Sequence, residues 1–372
     1  MQVALVGAGI SGLLVSYELK KLGIKPIIFE KEQDLSSQTQ VFSISQELKT
    51  LSRELSLELL RLKNQTRCII RDKKIRKFSL SFFSLLTSGV FKPSEMLSFL
   101  KEPFLKSSAR DIESVADFIL RRFNNKVLEY LVEPLISEFC LGDERSLSLK
   151  FAVRRVYELE KNKTGVIKGV LKNALKLPEL GFFKDGDLIK ELSKELSLSF
   201  ENVVLRIRKK EGDFILEARD GKHKAKCVIT CVPAWACAYM LRDLSWSASD
   251  RLEKLYYSPF VLVRANLNPE MGCFRILFPS SEGFRIKRAF LNLDSSYSIY
   301  LGGAKDKEAL DLTDSEIESI VTSELSAIGF KVIDIKSIER HRRALPQFNL
   351  DYEEVLNMVK ALEDENPGLF IG

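Results

Sequence analysis

Met1-Gln2-Val3-Ala4-Leu5-Val6, then Gly7-Ala8-Gly9-Ile10-Ser11-Gly12, an amphipathic run to Leu22, and Ile27-Ile28-Phe29-Glu30 read in order as strand, glycine turn, helix, strand and acid. The order carries a physical demand. Gly7 permits the tight turn, Gly9 lets backbone approach a pyrophosphate, and Gly12 lets the helix pack closely on the strand. The helix then opens at Ile10 and Ser11 with its unpaired N–H groups toward phosphate. Glu30 ends the second strand where a carboxylate can accept both hydroxyls of an adenosine ribose, which admits FAD or NAD and repels a 2′-phosphate. Gly7, Gly9, Ile10, Ser11, Gly12, Glu30 and the adjoining Lys31 are therefore the candidate cofactor contacts; the alternative is a glycine-rich turn with no ligand.

The 372-residue chain is long enough for two or three packed units, and its 45% hydrophobic content supplies a sizeable core. The 57 Lys and Arg against 51 Asp and Glu leave a net charge of +6, a mild excess without a basic tail or an aromatic-interleaved patch, so no nucleic-acid partner is expected. Six cysteines, Cys68, Cys140, Cys227, Cys231, Cys237 and Cys273, show no close pairing, and His223 and His341 are the two imidazoles. Neither a metal centre nor a disulfide scaffold is expected. The first strand begins at the N-terminus, which reads as a chain without a cleavable signal and with a reducing, cytoplasmic address. Ser79 to Phe91 is the most apolar stretch and is too short to span a bilayer, which takes about 20 apolar residues. Lys73, Lys74, Arg76 and Lys77 precede it, the pattern either of a segment lying on an anionic membrane surface or of a core helix with a solvated flank.

Beyond Glu30, leucines at 48, 51, 55, 59 and 62 predict a helix with one buried stripe. Ile112 to Ser137 holds two helical patterns divided near Asn124-Asn125, and further ones cover Phe151 to Leu159 and Thr164 to Leu171, so the chain from about Ser79 to Leu177 is mostly helical. Pro178 and Gly181 mark a boundary. Lys184-Asp185-Gly186-Asp187 offers acidic caps to a helix through Leu188, Ile189, Leu192 and Leu196. Strands follow over Val203 to Arg208, Phe214 to Arg219 and Cys227 to Pro233, with turns at Glu211-Gly212 and Asp220-Gly221. Apolar segments at Phe260 to Ala265, Phe274 to Phe278 and Ile299 to Leu301, a helix over Asp314 to Ile328 and a strand near Val332 to Ile338 complete a sheet domain.

The segments Glu113-Ser114-Val115-Ala116-Asp117-Phe118, Val127-Leu128-Glu129, Leu131-Val132-Glu133-Pro134-Leu135-Ile136-Ser137, Gly142-Asp143, Leu147-Ser148-Leu149 and Ala344-Leu345-Pro346-Gln347-Phe348 resemble the protoporphyrinogen oxidases, a branch of the flavin amine oxidases. The resemblance runs with gaps along the whole chain. It implies an α/β fold: a Rossmann-like FAD-binding domain with an inserted α+β substrate domain and a mostly helical, membrane-associating domain. The expected boundaries are 1–62, 178–238 and an incomplete 344–372 for the FAD domain, 63–177 for the helical domain and 239–343 for the substrate domain. It further implies oxidation of a porphyrinogen by hydride transfer to FAD, with molecular oxygen taking the electrons, and a homodimer or a peripheral membrane contact as partners. The redox chemistry would belong to the flavin, so no catalytic side chain is expected. By position, Arg67 would face a propionate, Phe274 and Leu277 would sandwich the macrocycle and Tyr300 would form a third wall. Val204 would meet the adenine, and Val232 and Pro233 would end a strand beneath the flavin. The competing readings are a surface arginine for Arg67 and plain core for the apolar residues.

The chain departs from that pattern in three places. Gln33 to Val41 lacks the Gly-Gly-x-x-Arg segment expected beside the flavin. Glu138 stands where the family has a glycine, and a carboxylate there would oppose propionates. Pro367-Gly368-Leu369-Phe370-Ile371-Gly372 opens the last strand of an FAD domain, which the family continues with a glycine turn and helix. These departures keep two alternatives open: a non-catalytic remnant that binds porphyrin or nucleotide, and another member of the flavin amine oxidases.

Overall fold

A computed structural model describes residues 2–33, 41–62, 65–79, 82–106, 108–172, 179–183, 188–194, 196, 198–268 and 273–372. The segment expected to lack flavin-lining glycines and the acidic entry at 184–187 lie largely or wholly outside these residues. The chain forms two compact units, one from Met1–Leu62, Pro178–Leu255 and Glu353–Gly372, the other from Lys63–Leu177 and Tyr256–Tyr352.

The first unit is built on a five-stranded parallel sheet. Its central strand, Val3–Val6, is buried on both faces and pairs with Cys227–Thr230 on one side and Ile27–Phe29 on the other; Leu369–Ile371 and Leu198–Ser199 form the edges. Near-continuous apolar runs are what a parallel sheet covered on both faces requires. The Ile10–Lys21 helix follows Val3–Val6 through the glycine turn, and Leu5, Ala8, Leu13 and Ile28 share a core with Leu188, Ile189 and Leu192. An antiparallel sheet of Val204–Lys210, Asp213–Ala218 and Gly221–Ala225 stands beside it. Its first hairpin turns at Glu211 and Gly212 with φ of 54° and 81°, the paired positive angles that suit a tight two-residue loop.

The long leucine stripe does not form one helix. Ser45 caps a helix over Gln46–Glu54, its hydroxyl accepting from the Leu48 N–H at 3.1 Å; Ser56 then takes a φ of 54°, and Leu59–Arg61 is a strand paired with Leu180–Phe183. Leucines suit either period, so spacing alone could not place the break.

The second unit carries a seven-stranded sheet in the order Val332–Pro346, Tyr257–Leu267, Tyr297–Gly302, Ile286–Leu291, Arg275–Leu277, Arg67–Arg71, Lys74–Phe78. One face is dry. Ile70, Val261, Val263, Ile276, Ala289, Ile299 and Leu301 pack against Ile317, Val321 and Leu325 of the Asp314–Ser326 helix, whose start is fixed by a capping box between Thr313 and Glu316. On the other face, Ile69, Phe78 and Leu277 join a core shared with Val115, Phe118, Leu128, Tyr130 and Ile136 of the helical stretch. That common core is why the helices and the sheet form one compact unit, where the sequence analysis counts two domains. The helices Ala234–Leu241 and Trp246–Glu253 also stay with the first unit, so the third crossing falls after Leu255.

Cys68, on the Arg67–Arg71 strand, and Cys273, just ahead of the Arg275–Leu277 strand, form a disulfide, against the expectation drawn from their spacing; 205 residues separate them in sequence and 6.2 Å between Cα atoms in the fold. Lys74, Arg76 and Lys77 lie on the edge strand Lys74–Phe78, and Lys73 occupies the turn before it. Charges on a sheet edge deter pairing with another chain, which accounts for this cluster without a membrane.

Candidate functional site

In the first unit the glycine turn has the geometry its sequence demands. Gly7 sits at φ +100°, and a Cβ there would lie 2.5 Å from the Cys231 carbonyl oxygen. At Gly12 a Cβ would come within 1.9 Å of the Gly7 carbonyl oxygen, so the helix rests directly on the turn. Gly9 differs from both, because nothing lies within 4 Å of the place its Cβ would occupy. It is also the N-cap of the Ile10–Lys21 helix, makes no side-chain cap and is followed by no acid in the first turn. The helix therefore presents backbone N–H groups of Ile10 and Ser11 beside an open space, the combination an anionic pyrophosphate fills.

Glu30 is buried at the lip of this turn. Its carboxylate accepts from the Ala8 N–H at 2.7 Å and the Glu32 N–H at 3.0 Å, and each oxygen retains a lone-pair site for a further donor such as a ribose hydroxyl. Lys31 points away, paired with Glu32 at 2.8 Å on the surface. Val204 is buried at the start of its strand. Val232 packs close to Gly7, and Pro233 caps the Ala234–Leu241 helix. The residues present thus fit the dinucleotide portion of FAD: Gly7, Gly9, Ile10 and Ser11 would take the pyrophosphate and Glu30 the ribose.

The second unit gathers the candidate substrate residues differently from the sequence expectation. Arg67 and Arg275 are register partners on adjacent parallel strands, and Arg275 is in turn opposite Phe290. Arg288, two residues before Phe290, is opposite Tyr300. Phe260 extends this sheet face, its ring 5.3 Å from that of Tyr300 and 4.7 Å from that of His341. Arg288 stacks on Tyr300 at 4.1 Å and on Phe290 at 5.0 Å, while Arg275 lies 5.3 Å from Phe274 and 5.4 Å from Phe290. The result is an aromatic surface interleaved with guanidinium groups.

Glu138, near the end of the Glu133–Cys140 helix, meets these arginines. Arg67 Nε donates to both of its oxygens, at 3.2 and 3.1 Å, and Arg275 Nη1 donates to Oε1. Arg288 Nη1 donates to the backbone carbonyls of Ser137 and Glu138, satisfying carbonyls in the last turn of the same helix. The Glu138 side chain is 1% exposed, against 14% for Arg67 and 13% for Arg275. Burial pushes the Arg275 guanidinium below its ordinary range, with Glu138 pulling it up and Arg67 pushing it down further; burial likewise lowers Arg288. Glu138 is thus not a bare carboxylate opposing an anion, as the sequence reading had it, but one held by two cations.

Arg67 and Tyr300 both belong to this cluster. Phe274 borders it through Arg275. Leu277 is fully buried in the core shared with the helices and presents no surface, in keeping with the plain-core alternative. Arg275, Arg288, Phe260 and Phe290 escaped the sequence reading; the available signal was an arginine close to a phenylalanine in each of two short strands, Arg275 after Phe274 and Arg288 ahead of Phe290.

The model of the flavin containing amine oxidoreductase family matches residues 39–344, and that of an NAD(P)-binding Rossmann-like domain matches residues 5–49. The chain belongs to the flavin containing amine oxidoreductases. Among curated members, protoporphyrinogen oxidase 2 of Arabidopsis thaliana, chloroplastic/mitochondrial, is 22% identical over 99% of this chain and 88% of its own length. Coproporphyrinogen III oxidase of Bacillus subtilis is 25% identical over 71% of this chain and 63% of its own length. A crystal structure of a candidate protoporphyrinogen oxidase from Exiguobacterium sp. superposes with a TM-score of 0.78 at 15% identity, covering 100% of this chain and 93% of that one, which establishes the shared fold. Members of the family are flavoproteins, so FAD is the cofactor the family implies.

Proposed function

We propose that this flavin oxidoreductase oxidises a porphyrinogen, a flat apolar macrocycle with acidic side arms, to the corresponding porphyrin. The observation that carries the reading is the sheet face on which Phe260, Phe290 and Tyr300 alternate with Arg67, Arg275 and Arg288. Aromatic rings supply apolar contact for a macrocycle, and guanidinium groups grip carboxylates through paired N–H donors. Three guanidiniums against one carboxylate leave this cluster with a surplus of two positive charges, which favours a substrate with two carboxylates over one with four. The similarity to protoporphyrinogen and coproporphyrinogen oxidases supports the same substrate class. Bound FAD would supply the electron acceptor for hydride removal, with oxygen reoxidising it. The chain's own contribution would be to hold the macrocycle by its faces and side arms and to keep its orientation fixed through repeated oxidations.

The reading extends to a homodimer and to attachment at a membrane surface. Among the described residues no helix is long and apolar enough to cross a membrane, while Phe83, Leu97, Leu100 and Phe104 of the helical stretch are exposed and could seat on lipid headgroups. The decisive experiment is anaerobic mixing of the flavin-loaded protein with protoporphyrinogen. Bleaching of the flavin absorbance is expected, with porphyrin fluorescence appearing once oxygen is admitted, because a single flavin takes up only part of the electrons the conversion releases; flavin that stays oxidised refutes the assignment.

A further inference from the structure

Glu138 joins two of the three arginines on the aromatic face, and nothing in the fold of the helix requires a carboxylate at that position. The side chain is almost wholly buried, yet among the described residues it caps no helix and accepts from no backbone amide; its donors there are Arg67 Nε and Arg275 Nη1. Those guanidiniums reach it from strands held in register, and both keep part of their surface open. The remaining arginine, Arg288, is committed to the carbonyls of Ser137 and Glu138 and to the Tyr300 ring. Among other charged groups on this sheet face, Arg71 on the Arg67 strand pairs with Glu95 at 3.0 Å and stacks on Tyr130, Arg264 faces Glu339 at 3.7 Å, and His341 stacks on Phe260.

We propose that Glu138 is a built-in counterion that competes with the carboxylates of the substrate for Arg67 and Arg275, and so limits how many the site accepts. This rests on the porphyrinogen reading above. In the ligand-free protein Glu138 neutralises the charge that two neighbouring, partly buried arginines would otherwise share, holding them parallel and ready. An incoming carboxylate then meets donors already occupied on one side. It can add through the N–H groups that Glu138 leaves free, each guanidinium carrying five in all, but further acidic arms find the cationic surplus spent. Glu138 is in this sense a specificity determinant, disfavouring the more highly charged ligand by leaving it unpaired carboxylates. A neutral side chain of the same shape should lift that discrimination.

The test compares wild type with Glu138→Gln by fluorescence titration of two stable porphyrins, the dicarboxylate mesoporphyrin and the tetracarboxylate coproporphyrin, each as free acid and as fully esterified form. The ester reports recognition of the ring, and the acid-to-ester affinity ratio reports the arginine cluster. For Glu138→Gln the ratio is expected to rise at least tenfold for the tetracarboxylate and less for the dicarboxylate, with ester affinity unchanged. Rings that bind while the ratios stay equal to wild type, or fall, overturn the role of Glu138 and leave the porphyrin reading standing. Wild-type protein that binds neither acid nor ester overturns both. Should Glu138→Gln lose its cooperative melt, Glu138→Asp carries the same comparison, since the shorter arm withdraws the carboxylate from the guanidiniums and is expected to raise the ratio by a smaller factor.

Discussion

Replacing Gly9 and Gly12 separately by alanine should split cofactor binding from folding. At Gly9 the added methyl meets no protein atom within 4 Å, so the folded chain accepts it. The cost to stability is that of a poorer N-cap, about 1 kcal/mol at most. The methyl does occupy the space through which a pyrophosphate would reach the N–H groups of Ile10 and Ser11. Losing one charge-assisted hydrogen bond there costs about 1.5–3 kcal/mol, or roughly 10- to 100-fold in affinity for FAD. At Gly12 the methyl would lie 1.9 Å from the Gly7 carbonyl oxygen, where ordinary contact begins at 3.4 Å, so the Ile10–Lys21 helix must withdraw from the strand beneath it. Overpacking of this kind costs about 1–3 kcal/mol, more than the helix propensity regained by alanine. Thermal melts of the flavin-free proteins and flavin titration followed at the absorbance band measure both quantities. Gly9→Ala should melt near wild type and bind flavin weakly; Gly12→Ala should melt lower. A Gly9→Ala protein that binds FAD as wild type does would show that the cofactor does not cross this turn.

Two buried polar groups, Glu102 and Cys237, yield further outcomes. In the helical stretch Glu102 is wholly buried, paired with Arg122 at 2.5 Å, and accepts from the Val166 and Ile167 N–H groups at 2.9 and 3.1 Å. Glu102→Ala strands both amides and leaves the guanidinium with Glu160 at 3.6 Å and the carbonyls of Leu105 and Lys106, which should cost about 3 kcal/mol, read as a lower urea midpoint; an unchanged midpoint contradicts it. The Cys237 thiol is pushed up to about 11 by burial, with the Thr230 hydroxyl 3.4 Å away working weakly against the shift. It should be the slowest of the four free cysteines to be alkylated at pH 8, which timed iodoacetamide labelling with peptide mapping measures. Because the folded protein holds this proton more tightly than the ordinary value of 9.0 allows, its contribution is full below pH 9 and is lost as pH rises toward 11. A Cys237→Ala variant should accordingly lose less stability over that interval.

The sequence speaks most clearly where the determining contacts are local. The glycine turn and Glu30 lie within one strand-helix-strand segment, and each glycine has a steric reason visible from its neighbours, so both the nucleotide fold and its candidate contacts are legible there. The hairpin at Glu211-Gly212 is legible for the same reason. Local pattern misleads at the leucines beyond Ser56, where one spacing serves both a helix and a strand and a single left-handed residue decides. It is silent on the arginine cluster. Arg67 and Arg275 become neighbours only when strands about two hundred residues apart pair in parallel, and the Cys68–Cys273 bond arises from that same pairing. Glu138 shows the limit most plainly: alone it is a misplaced negative charge, and only the fold supplies the cations that give it a use.

The order in which the chain visits its two units constrains how the protein can be made. The path crosses between them four times, at Leu62, Leu177, Leu255 and Tyr352, so each unit is assembled from separated pieces. The central Val3–Val6 strand leaves the ribosome more than two hundred residues ahead of its neighbour at Cys227–Thr230, and the edge strand Leu369–Ile371 follows later still. During that interval an apolar strand waits without its partner, the circumstance in which nascent chains depend on chaperones. Dividing the gene at any one of the four crossings would therefore yield two unfinished products rather than two domains, whereas a circularly permuted chain could be given a different order of synthesis.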